Sequence, residues 1–147
     1  MTTYERLLAE LGEGLDLDLT PDSAGFAEIA AEDHLLTIRA DETGEKEILA
    51  FTTVATAPEE GFPMDTLKRA LAANLFGRDV VGHHLGLFSD SLVLSATLSI
   101  PDLSAEDFAE RLILLARIAG KLADSLASPV GEPDTTAPSF EEEILQV

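Results

Sequence analysis

Between Leu92 and Leu126 the apolar residues change period once, and that change dictates a chain that mixes strand with helix. Leu92, Leu94, Ala96, Leu98 and Ile100 alternate with more polar neighbours, the period of a strand with one buried face. Phe108, Leu112, Leu115, Ala119, Leu122 and Leu126 instead recur at helical intervals. Pro101 divides the two segments, and Ser104 with Asp107 three residues later is a helix start. At 1.5 Å per residue a helix running on to Ser128 is roughly 36 Å long, enough to cross a small sheet. Ahead of the alternating strand, Val80-Val81, Leu85, Leu87 and a Ser89-Asp90-Ser91 turn predict its hairpin partner.

The first half of the chain repeats the mixture. Thr2 and Glu5 have the spacing of a capping box, and Tyr4, Leu7, Leu8 and Leu11 follow on one helical stripe that Gly12 and Gly14 are expected to end. Three short strands then form a meander: around Phe26 to Ile29, His34 to Arg39, and Ile48 to Val54, with Leu36, Ile38 and Phe51 as inward candidates. Residues 57 to 63 have the Pro, Gly and Glu content of an exposed connection. A second short helix, capped by Asp65 and stopped at Gly77, carries Met64, Leu67, Leu71 and Leu75 along one side. The expected fold is therefore α+β in a single domain over residues 1–128, ordered α-β-β-β-α-β-β-α, with a mixed or antiparallel twisted sheet flanked by helices. Residues 129–147, rich in Pro and acid and free of Lys and Arg, are expected to be an acidic, mobile tail.

Charge narrows the function. Lys and Arg number 9 against 28 Asp and Glu, and the formal charge of -19 works against nucleic-acid backbones and anionic membranes while permitting a basic partner. The chain has no cysteine, so thiol chemistry, disulfides and Cys-based zinc sites are excluded. No apolar run approaches a membrane span and no basic-then-apolar leader is evident, so a cytoplasmic location is expected. His83-His84 is the most tempting pair for a metal, but neighbours on a strand point to opposite faces and do not share an ion. Acidic pairs such as Asp41-Glu42 and Glu59-Glu60 lack the alternation of a calcium loop. Gly82 and Gly86 sit within a strand pattern and are not placed to cradle phosphate, and no Gly-x-Ser-x-Gly elbow occurs. No enzyme, metal or cofactor is expected; the rival, a small enzyme using His83 or His84 with a carboxylate, requires a pocket where the two converge.

Leu71-Ala72-Ala73-Asn74-Leu75-Phe76-Gly77, followed by Gly82-His83-His84-Leu85-Gly86-Leu87, a turn and Leu92-Val93-Leu94-Ser95, resembles the Tir-chaperone family, the class I type III secretion chaperones. The order of elements resembles it too, over about residues 2 to 127. The resemblance implies a homodimer that binds the N-terminal segment of a secreted effector in extended form, without turnover. A general peptide- or protein-binding module of the same fold, unrelated to secretion, is the alternative. By the same analogy the partner-facing surface draws on Leu7, Leu8, Leu11, Phe26, Leu36, Ile38 and Phe51, and the dimer interface on Leu67, Leu71, Leu75, Phe76, Val80 and Val81. Some of these must serve the core, because one amphipathic stripe cannot cover two surfaces at once.

Overall fold

The computed structural model describes residues 1–75 and 82–127. Its elements are α1 (Thr3–Leu15), β1 (Phe26–Ala31), β2 (His34–Ala40), β3 (Glu47–Thr56), α2 (Met64–Asn74), β4 (His84–Phe88), β5 (Ser91–Ser99) and α3 (Ala105–Ala127), in the order the sequence predicts. The strands pair antiparallel throughout, in the order β1-β2-β3-β5-β4, so β1 and β4 form the edges. Residues 128–147, including the predicted tail, lie outside the described residues, as do Phe76, Val80 and Val81.

The register starts at the β1–β2 turn. Glu32 and Asp33 are both left-handed, with φ of 50° and 66°, the turn geometry whose twist matches that of a two-stranded ribbon. It sets Ala31 opposite His34, and alternation then sends Ala27, Ile29, Leu36 and Ile38 inward. β3 adds Ile48, Ala50, Thr52 and Val54 to that face, and β5 adds Leu92, Leu94, Ala96 and Leu98. α3 lies against this face with Phe108, Leu112, Leu115, Ala119 and Leu122 buried, and α1 packs beside it through Tyr4, Leu7, Leu8 and Leu11.

Local chemistry holds the helix ends. Thr2 Oγ1 accepts from the Glu5 N–H at 3.1 Å and Ser104 Oγ from the Asp107 N–H at 3.0 Å, as the capping pattern predicts. The other two expectations change. Gly12 and Gly14 do not stop α1, which runs to Leu15 and closes through Asp16 in the left-handed region, with the Leu17 N–H donating to the Gly12 carbonyl at 2.8 Å. Gly12 is needed for another reason: a Cβ there would stand 2.5 Å from the Leu17 carbonyl oxygen. In α2 it is Pro63, without a side-chain cap bond, that occupies the N-cap, and Asp65 instead pairs with Arg69 one turn on, at 3.0 Å.

Phe51 is the third change. The β2–β3 and β3–β5 pairings put it on the face away from the helices, while Thr52 takes the inward place and donates its hydroxyl to the Leu35 carbonyl at 2.9 Å. The run Ile48-Leu49-Ala50-Phe51 has no alternation of its own, so only pairing with β2 decides which residues turn inward.

Candidate functional site

Three surfaces remain open once the described residues have packed. The first is the outer face of the sheet. Register lines up Glu28, Thr37, Phe51, Ser95 and His84 in one row across all the strands, and Phe26, Arg39, Leu49 and Thr97 in the next. The Arg39 guanidinium lies over the Phe26 ring, 5.0 Å from its centroid. Leu35 is 57% exposed, and Leu49 and Phe88 are exposed with it. A sheet this wide with apolar side chains on an uncovered face is atypical of an isolated domain.

The second is α2. Its buried residues are alanines, Ala70 and Ala73, while Leu71 is 74% and Met64 67% exposed and Leu67 and Leu75 are half-buried. The helix rests on the fold by its small side chains and turns its large ones outward, the reverse of what stability alone favours. Asn74, at its end, accepts the Leu85 N–H on Oδ1 at 3.1 Å and so ties α2 to the edge strand β4.

The third is a groove of 1090 Å³ between α1, the 16–25 loop and the β2–β3 turn. Glu5, Glu13, Asp16 and Asp18 are in its lining with Asp22, Asp41 and Glu42; Arg39 is the one basic side chain of that lining. Two of the carboxylates organise turns. Asp22 accepts the Ala24 and Phe26 N–H groups at 2.9 Å each. Asp41 accepts from the Thr43 hydroxyl and from the Glu47 and Lys46 N–H groups, bonds that hold its carboxyl well below the usual carboxylate range. Beyond the groove, Glu45 accepts from both the hydroxyl and the N–H of Thr3, which also lowers its pKa and clamps the β2–β3 turn onto the start of α1. At the groove's floor the Tyr4 hydroxyl lies 3.2 Å from both the Gly25 and Ile38 carbonyls; burial, with Asp22 adding, pushes it up to about 12.

The two sheet edges differ. On β1 the Phe26 N–H and C=O bond to Asp22, on the side away from β2. Antiparallel alternation therefore points the N–H and C=O of Glu28 and Ala30 outward as well, with no partner among the described residues. On β4 the Leu85 N–H is already occupied by Asn74.

Of the residues named from sequence as partner-facing, Leu7, Leu8, Leu11, Leu36 and Ile38 are at most 5% exposed and belong to the core. The stripe of α1 is consumed by packing, as are the even-numbered residues of β2. Phe26 and Phe51 are half-buried on the outer face, where Leu35 and Leu49, which the sequence reading omits, accompany them. Those two sit in the apolar pairs Leu35-Leu36 and Ile48-Leu49, and only the hairpin register tells which member faces out. Of the dimer set, Leu71 is exposed and Leu67 and Leu75 half-buried, and the other three lie outside the described residues. His83 is buried and His84 exposed, and among the described residues no group of His, Cys, Asp and Glu is arranged to hold a metal ion. Among the same residues no helix is long and apolar enough to cross a membrane.

Comparison with known proteins bears on these surfaces. The Yersinia pestis type III secretion chaperone SycH, solved in complex with a stable fragment of YscM2, gives a match of 25% identity over 81% of this chain and 98% of that chain, with a TM-score of 0.60. A chain of the HopA1-SchA chaperone-effector complex matches at 19% identity, 83% and 94% coverage and a TM-score of 0.67. One from the ExsC-ExsE complex matches at 19% identity, 86% and 97% coverage and 0.69. At 19% identity these last two speak to the fold alone. No curated protein matches the chain significantly. The model of the Tir chaperone protein (CesT) family matches residues 6–121, most of the chain, and with the element order and sheet described above it establishes that the chain belongs to the Tir chaperone (CesT) family.

Proposed function

We propose that the protein is a dimeric, cytoplasmic, non-enzymatic chaperone that holds a segment of a type III secretion effector in extended form. The observation that carries this is the inverted α2, which buries Ala70 and Ala73 and presents Leu71 and Met64. In a chaperone family whose solved relatives include chaperone-effector complexes, a helix of this kind is suited to a second copy of the chain, with Leu67, Leu71 and Leu75 facing their counterparts. Phe76, Val80 and Val81, adjacent in sequence, complete the proposed interface.

The effector segment is then left the outer sheet face and the open β1 edge. An extended chain pairing with Glu28 and Ala30 satisfies backbone groups on both sides, while its alternate side chains lie beside Phe26; Leu35, Leu49 and Phe51, one and two strands further in, are met only by a part of the segment that crosses the outer face. Each such hydrogen bond adds only about 0.5–1.5 kcal/mol net, so affinity grows from many contacts along a wrapped segment. Such a chaperone needs no residue poised for bond making, and the role ends at holding the client unfolded. Light scattering of the full chain at micromolar concentration, followed by co-purification with candidate effectors encoded nearby, tests both halves: a strict monomer that retains no effector overturns the proposal.

A further inference from the structure

The outward face of α2 is apolar along its length with one charge set in it. Met64, Leu67, Leu71 and Leu75 recur there at helical intervals, and Lys68 stands among them, exposed, its ammonium in no hydrogen bond or ion pair among the described residues. Asp65, on the flank, is held by Arg69 at 3.0 Å. From Thr66 to Arg78 the sequence carries three cations and no acid, so in a chain of net charge -19 this stretch suits an apolar segment that brings carboxylates. The chain itself supplies one at close range. Arg69 Nη1 donates to the Ser125 carbonyl at 3.3 Å, so α3 ends beside α2, and Ala127, two residues on, is the last described residue. The sequence that follows includes Phe140-Glu141-Glu142-Glu143-Ile144-Leu145, three large apolar residues around three acids. Phe140 comes 13 positions after Ala127, a reach of up to about 43 Å, whereas α2 is only about 16 Å long. A segment tethered at that distance has an effective concentration on the order of 1 mM. A second copy present at micromolar concentration therefore meets a competitor that needs to bind only weakly.

We propose that Phe140, Ile144 and Leu145, in the segment of this chain that follows α3, cover the outward face of α2 and so hold back association of a second copy there. The inference rests on the dimer reading above and adds its regulation: one face, two alternative occupants. The acidic body as a whole repels the segment, so the contact is short-ranged, made by apolar side chains and completed by Glu141 to Glu143 near Lys68 within a screening length. While the segment is in place the large side chains of α2 are withheld from water, and from any unrelated apolar surface.

The test compares the full chain with a full-length variant carrying Phe140→Ser, Ile144→Ser and Leu145→Ser, which removes the apolar side chains and keeps every charge. Dimer dissociation constants come from sedimentation equilibrium. If the segment covers α2 about two-thirds of the time, two subunits must both be uncovered to associate, and the variant is expected to dimerise about tenfold more tightly. Adding Leu71→Asp to the variant is expected to abolish that gain; association that survives it runs through another surface and overturns both the inference and the placing of the dimer on α2. Equal or weaker association of the variant overturns the inference and leaves the dimer reading standing, whereas monomers throughout overturn both. A peptide of residues 138–147, added at millimolar concentration to the variant, is expected to return its dissociation constant towards that of the full chain. A scrambled peptide of the same composition is expected to leave it unchanged, and equal effects of the two peptides overturn the inference.

Discussion

Two glycines in α1, two residues apart, have opposite roles. At Gly12 an added Cβ collides with the Leu17 carbonyl oxygen at 2.5 Å, a backbone atom that the αL turn at Asp16 fixes in place; around Gly14 nothing lies within 4 Å. Gly12→Ala is therefore expected to destabilise by about 1–3 kcal/mol, and Gly14→Ala to stabilise by about 0.5–1 kcal/mol through helix propensity, both read from urea midpoints. Asp41 and Glu45 give a pH dependence of known sign. Both carboxylates are held below their ordinary values in the folded chain, by the Thr43 and Thr3 hydroxyls first. Their contribution is complete above the unfolded-state pKa values, about 3.9 and 4.3, and is lost as pH falls below them. Unfolding midpoints measured from pH 6 down to about 2.5 should fall below about 4, and Asp41→Asn should make the fall shallower.

At the scale of elements, α2 and β1 can each be altered without touching the core. Leu71 is exposed and the anchoring contacts of α2 are Ala70 and Ala73, so Leu71→Asp is expected to change the stability of the subunit by no more than about 0.5 kcal/mol while converting the proposed dimer to monomer. Light scattering beside a urea titration separates the two effects. In β1 the Glu28 N–H points away from β2, so proline there removes no ladder bond, as edge strands tolerate. Glu28→Pro is expected to preserve the fold by circular dichroism and to weaken client binding about three- to tenfold, the worth of one or two backbone hydrogen bonds. An unchanged affinity would place the client elsewhere than on the β1 edge.

For the whole molecule the charge of -19 dominates approach. Encounter with a basic client should be fast at low salt and slow steadily as the screening length shortens to about 10 Å at 0.1 M, and stopped-flow association rates across that range check it. The same charge bears on residues 129–147, which hold Glu132, Asp134 and Glu141 to Glu143 and no Lys or Arg. A segment of that sign has no long-range electrostatic attraction to the rest of the chain, which is also acidic.

The period-two run of β5 and the helical repeat of α3 were legible because each element has one face buried and its alternation is set locally. The three-strand meander and the cap at Ser104 were legible for the same reason: spacing and local hydrogen bonding decide them. The surface was not. Leu36 and Leu35, or Ala50 and Phe51, are indistinguishable as a string, and a shift of one residue exchanges core for surface. Likewise the leucines of α2 look like a core stripe until the alanines on the other side are seen to make the contact. Sequence by itself therefore determined which segments become helix and strand and in what order. Only the tertiary structure, through cross-strand register and the competition of stripes for one shared core, decided which apolar residues remain for another chain.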